Sequence, residues 1–115
     1  IFSTAQPPIC MAWTNFIFQK VLGLDQRRQY LQSTSQYLQQ AVQSKGFECP
    51  STSHIVPVIV GDSIKTVEKA KALQDVGFYI MPVRPPTVPQ HSSRLRICLT
   101  AQITQADLDL LIPLL

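Results

Sequence analysis

The sequence predicts an α+β fold: a small, mostly antiparallel sheet with helices packed on one face, in the order α-α-β-α-β-β-α. Three observations carry that expectation. RLRICLT, residues 94–100, alternates, so Leu95, Ile97 and Leu99 share one face while Arg94, Arg96, Cys98 and Thr100 share the other, the period of a strand with one buried side. HIVPVIVG, residues 54–61, is a short run of mostly β-branched residues and gives a second strand. Stretches with apolar residues three and four apart end at Gly23, Gly46 and Gly77, as helices closed by glycine do.

Taken in order, Pro7 and Pro8 can open a first helix that runs to Gly23. Ile9, Met11, Ala12, Trp13, Phe16, Ile17, Phe18, Val21 and Leu22 cover nearly its whole circumference. A helix that is apolar all round is normally buried all round, and a chain this short cannot surround it. Part of the helix is therefore expected to lie against protein outside this sequence. Asp25 can cap a second helix ending at Gly46, with Tyr30, Leu31, Thr34, Tyr37, Leu38, Ala41 and Val42 facing the core and Arg27, Arg28, Gln32 and Gln36 facing water.

Pro57 marks the 54–61 strand as an edge strand or a bulge, since proline cannot donate to a ladder. Asp62 or Ser63 can cap a third helix with Ile64, Val67, Ala70, Leu73 and Val76 inward. FYIMPV, residues 78–83, supplies the next strand. Thr104 with Asp107 reads as a capping box ahead of Leu108, Leu111, Ile112 and Leu115.

Composition bounds the functional classes. At 115 residues, 45% hydrophobic and 15% charged, the chain suits one ordered domain. The net charge of +3 is mild, and Lys65, Lys69 and Lys71 interleave with Asp62, Glu68 and Asp75, which reads as a solvated face and not as a nucleic-acid surface. The apolar run from Ile9 to Leu22 is too short and too interrupted to span a membrane. Cys10, Cys49 and Cys98 form no Cys-x-x-Cys pair, which points to packing residues in a reducing cytoplasm, and Cys49 with His54 lacks a second ligand pair for zinc.

The chemistry concentrates in residues 84–100, RPPTVPQHSSRLRICLT. Pro85, Pro86 and Pro89 stiffen the approach and hold Thr87 in a defined direction. Arg94 and Arg96 then lie two residues apart on one strand face, their α-carbons roughly 7 Å apart, close enough to act on one anionic ligand. No acidic residue occurs between Asp75 and Asp107, or before Asp25. On these residues alone, an anion-binding or regulatory module without catalysis is a second possibility.

The motifs SHIVPVIVGDS, GFYIMPVRPPTVP and SSRLRICLTA, with IFSTAQPP upstream, resemble the C-terminal region of the α-oxoamine synthases, in the version found in the 8-amino-7-oxononanoate synthases of biotin biosynthesis. The resemblance covers nearly the whole chain. It implies a homodimeric, pyridoxal-phosphate-dependent acyltransferase of the aspartate aminotransferase fold, fold type I, that condenses L-alanine with pimeloyl-CoA or its carrier-protein form and releases CO2. It implies that residues 1–24 are a remnant of the large cofactor-binding domain with its connecting helix, and that 25–115 are the C-terminal small domain. Arg96 matches the family arginine that holds the amino-acid carboxylate, and Thr87 a threonine of the substrate pocket. Ser3 and Thr4 match hydroxyls that reach the cofactor phosphate of the partner subunit. None of Lys20, Lys45, Lys65, Lys69 or Lys71 sits in the Schiff-base motif, so no catalytic residue is expected here and the chain alone should be inactive. His91 stands where the family loop commonly has glycine, and Gln102-Ile103 where Ala-His is usual.

Overall fold

A computed structural model describes residues 5–115 of the chain. The elements run α1 (Pro8–Leu22), α2 (Asp25–Ser44), β1 (Ile55–Gly61), α3 (Ser63–Asp75), β2 (Met81–Val83), β3 (Ser93–Cys98) and α4 (Gln105–Leu111), closed by a 3-10 turn at Ile112–Leu114. The expected α+β order is present. The three strands form one antiparallel sheet in the order β1-β3-β2, so the arginine-bearing strand is central and Pro57 lies on an edge strand.

Register decides what each face carries. Val56 pairs with Ile97 and Val58 with Leu95; all four are buried and join Leu38, Val42, Ala70, Leu73, Leu99, Leu108 and Leu111 in the core beneath the helices. The opposite face repeats in rows across the strands: Ile59, Arg94, Val83; then Pro57, Arg96, Met81; then Ile55 beside Cys98. Each arginine is thus flanked on both sides by apolar side chains.

The helix ends follow local chemistry. Asp62 caps α3, its carboxylate accepting from the Lys65 amide at 2.8 Å, and Thr104 with Asp107 forms a complete capping box on α4. Gly46 and Gly77 take φ of +84° and +97°, the left-handed values that let the chain leave α2 and α3. Gly23 differs: its φ is −86°, so α1 ends without the left-handed turn glycine permits. Asp25 is the first residue of α2 and not its cap, and it pairs with Arg28.

Several side-chain placements depart from the expectation. On α3 the inward residues are Thr66, Ala70 and Leu73, while Ile64 and Val76 are exposed. Thr66 can be buried because its hydroxyl donates to the Asp62 carbonyl at 2.5 Å, leaving no unpaired polar atom inside. Tyr30 and Tyr37 sit at the rim of the core, donating to the Ile103 carbonyl at 2.7 Å and to Asp109 at 2.8 Å. The strand expected over 78–83 shrinks to three residues because the Ile80 amide bonds the Phe78 carbonyl at 2.8 Å, a tight turn that takes 78–80 out of the ladder. Of the cysteines only Cys49 packs inside; Cys10 and Cys98 are exposed.

No residue of α1 is buried. Trp13 is 63% exposed and, among the described residues, stacks only on Phe16, its neighbour on the same helix. The link to α2 is a two-residue elbow, held by the Arg28 guanidinium, which donates to the carbonyls of Val21 and Leu22 at the C-terminal end of α1. That end carries the negative pole of the helix, so a cation there is electrostatically matched.

Candidate functional site

The site is built on β3 and the loop that feeds it. At Arg84 the chain turns through Pro85 and Pro86, joined by a cis peptide bond, and the Thr87 amide closes the turn on the Arg84 carbonyl at 3.0 Å. Further on, the Ser92 hydroxyl donates to the Pro89 carbonyl at 2.7 Å and His91 takes φ +60°. The loop packs back on the sheet at Gly61, where a β-carbon would stand 3.3 Å from the His91 carbonyl. The hydrogen bonds hold the loop's own turns, and its residues Thr87 and Val88 line the open face beside Arg96.

Two clefts result, and Arg96 lines both. The first, about 370 Å³, is walled by Met81, Pro82, Val83, Arg84, Pro85, Pro86, Thr87 and Arg96. The second, about 390 Å³, lies on the β1 side and brings Arg94 and Arg96 together with Ile55, Pro57, Val83 and Val88. No carboxylate lines either cleft. Arg94 is half-buried and donates through Nε to the Ser92 carbonyl at 2.9 Å, so its terminal nitrogens remain as donors. Arg96 is exposed on this face, and among the described residues its guanidinium makes no hydrogen bond or ion pair.

The structure thus places Thr87 and Arg96, read from the sequence as substrate-binding residues, on the wall of one cleft. Ser3 and Thr4 lie outside the described residues. Sequence reasoning missed Arg84, which joins Thr87 and Arg96 in the first cleft; the acid-free stretch from 76 to 106 is the signal that could have found it. It also missed the apolar flanks Pro57 and Met81, which only the register reveals.

Chemically the face is a donor surface. Guanidiniums flanked by apolar side chains hold anions more strongly than they would in open water, because the local dielectric is lower and the fork geometry matches a carboxylate. No group of three or more residues suited to a metal ion occurs among the described residues, and no helix of those residues is long and apolar enough to cross a membrane.

The arrangement of helices on one face of a small antiparallel sheet has close counterparts among solved proteins. A serine palmitoyltransferase from S. paucimobilis, solved with a pyridoxal phosphate–myriocin aldimine, superposes with a TM-score of 0.85 at 26% identity over 99% of this chain and 29% of that one. An 8-amino-7-oxononanoate synthase from Francisella tularensis superposes at 0.84 with 18% identity, covering 99% of this chain and 33% of the other, which is a likeness of fold. The fold is therefore that of a segment of fold-type I enzymes.

The family model for aminotransferase class I and II matches residues 1–114, and the chain belongs to that family. Among sequenced relatives, the 8-amino-7-oxononanoate synthase of Haemophilus ducreyi is 46% identical over 113 residues, 97% of this chain and 29% of that protein. That of Chlorobaculum parvum is 40% identical over 111 residues, 96% and 28%. The chain spans less than a third of the length of these relatives. The resemblance read from RPPTVP and SSRLRICLTA is borne out in family and fold.

Proposed function

We propose that this chain is the C-terminal part of a pyridoxal-phosphate-dependent acyltransferase, an α-oxoamine synthase, that joins L-alanine to a pimeloyl thioester and yields 8-amino-7-oxononanoate. The observation that carries the reading is Arg96: a guanidinium on the open sheet face, unpaired among the described residues and sharing a cleft with Thr87, in a chain 46% identical to a protein of that name. In the overall reaction a bond forms between the alanine α-carbon and the acyl carbonyl, the thiol leaves, and the alanine carboxylate departs as CO2.

Arg96 binds the alanine carboxylate through two parallel N–H donors and so fixes the amino acid in one orientation. Thr87 bounds the pocket, and Pro57 and Met81 set apolar side chains on either flank of the ion pair. Bound pyridoxal phosphate supplies the electron sink that makes the α-carbon reactive. The described donors fit an anionic substrate group, and Ser3 and Thr4 are assigned to the cofactor phosphate of the partner subunit. Residues 1–24 belong with a large domain and 25–115 form a small domain; α1, with no buried residue, supports that division. The working protein is a cytoplasmic homodimer, and the 115-residue chain is inactive alone.

A second reading, a different thioester and amino acid such as serine with a long acyl chain, is favoured by the serine palmitoyltransferase likeness. A chimera in which this chain replaces the matching segment of the H. ducreyi protein separates the two. Thiol release is measured with alanine plus pimeloyl-CoA and with serine plus palmitoyl-CoA. Turnover with the first pair alone supports the main reading, turnover with the second supports the alternative, and a folded, cofactor-loaded chimera active with neither contradicts both.

A further inference from the structure

The second cleft asks for a ligand of particular shape. Ile55, Pro57, Val83 and Val88 give it an apolar wall, and Arg94 and Arg96 set two cationic ends on the same strand face. Their α-carbons stand roughly 7 Å apart by strand geometry, and the side chains can open that span further. Arg94 is held in place: its Nε is spent on the Ser92 carbonyl, and Ile59 and Val83 flank it across the sheet, while its terminal nitrogens stay unpaired among the described residues. A guanidinium tethered in this way is pre-organised for an anion, because less side-chain freedom is lost on binding.

The proposed reaction supplies such a ligand. The alanine carboxylate departs as CO2, so the acid of the amino-oxononanoate product comes from the far end of the acyl chain. The two substrates therefore bring two carboxylates to the site, one lost and one kept. We propose that the cleft between β1 and the 84–92 loop takes an aliphatic chain that ends in a carboxylate, with Arg94 reading that terminal carboxylate while Arg96 serves the amino acid. Arg94 is then the residue that distinguishes an α,ω-dicarboxylic acyl group from a plain fatty acyl group. The inference rests on the functional reading for its ligand and on the cleft for its geometry.

Pimelate and heptanoate share a seven-carbon chain and differ in the second carboxylate. Titrated into the ¹⁵N-labelled 115-residue chain, pimelate should bind at least about fivefold more tightly and shift the amides of Ile55, Val83 and Val88. Arg94→Gln should abolish the difference between the two acids, and Arg94→Lys should restore part of it. An undisturbed amide spectrum verifies that the variants fold. Equal binding of the two acids, or a pimelate preference that survives in a folded Arg94→Gln chain, overturns the proposal. A pimelate preference in a protein whose chimera condenses no thioester would instead uphold the cleft and reject the functional reading.

Discussion

Pro57 on the edge strand β1 lies directly opposite Arg96 on the central strand β3, so a residue with no N–H to donate flanks the residue that carries the site. With Met81 on the other side, the guanidinium rises between two apolar side chains. The same register sends Leu95 and Ile97 into the core, which couples the stability of the fold to the placement of the arginines.

Leu95 is fully buried at the centre of that sheet. Leu95→Ala should cost about 2–5 kcal/mol, the usual range for a large core side chain cut to alanine, and should lower the urea midpoint in proportion. Arg96→Gln, on the open face, should leave the midpoint nearly unchanged.

The glycines that close α1 and α3 should respond oppositely to alanine. Gly77 sits at φ +97°, where an L-residue is strained, so Gly77→Ala should destabilise by about 1 kcal/mol or more. Gly23 sits at φ −86°, and a β-carbon there meets only the Lys20 carbonyl at 3.8 Å. Gly23→Ala should be neutral or stabilise by about 0.5 kcal/mol, and thermal unfolding of the two variants side by side measures the contrast.

Asp107 supplies a pH dependence. The Thr104 hydroxyl, and then the Thr104 amide, hold its carboxyl below the ordinary value of 3.8 by bonding the charged form. A carboxylate whose folded value is depressed contributes stability that is present above its unfolded value and is lost as pH falls through the folded one. The urea midpoint should therefore fall as pH drops below about 4, and Asp107→Asn should reduce that slope.

The exposed surface of α1 predicts association. Ile9, Met11, Trp13, Phe16, Phe18 and Leu22 are each at least half exposed on one helix, a contiguous apolar area that seeks a partner. Light scattering on the 115-residue chain should show self-association that rises with concentration, with a blue shift of Trp13 emission. Phe16→Glu with Phe18→Glu should yield a monomer.

Much of this was legible in the sequence, and particular residues show why. Period-2 alternation in RLRICLT needs no tertiary information, so both faces of β3 could be read directly, and Thr104 and Asp107 cap their helix through contacts three residues apart. On α3 Ala70 and Leu73 were legible as inward, but Thr66 was missed because a buried threonine looks polar in sequence; only the bond from Thr66 to the Asp62 carbonyl makes it acceptable inside. Ser93 is buried for a similar reason, sharing a 2.9 Å hydroxyl contact with Ser63 thirty residues away. His91 takes φ +60°, a left-handed backbone that glycine adopts more readily than histidine, and no local pattern in the sequence announces it. The clefts depend on how the 84–92 loop folds over β1, and no local pattern records that.

The most direct test of the account is the alanine dependence of the chimera with and without Arg96→Gln. If Arg96 holds the alanine carboxylate through two charge-assisted bonds, the substitution should lower kcat/KM for alanine by about 10²- to 10⁴-fold, since each such bond is worth about 1.5–3 kcal/mol, with cofactor content and fold unchanged. An alanine kcat/KM within about twofold of the unsubstituted chimera would contradict the assignment on which the functional reading stands.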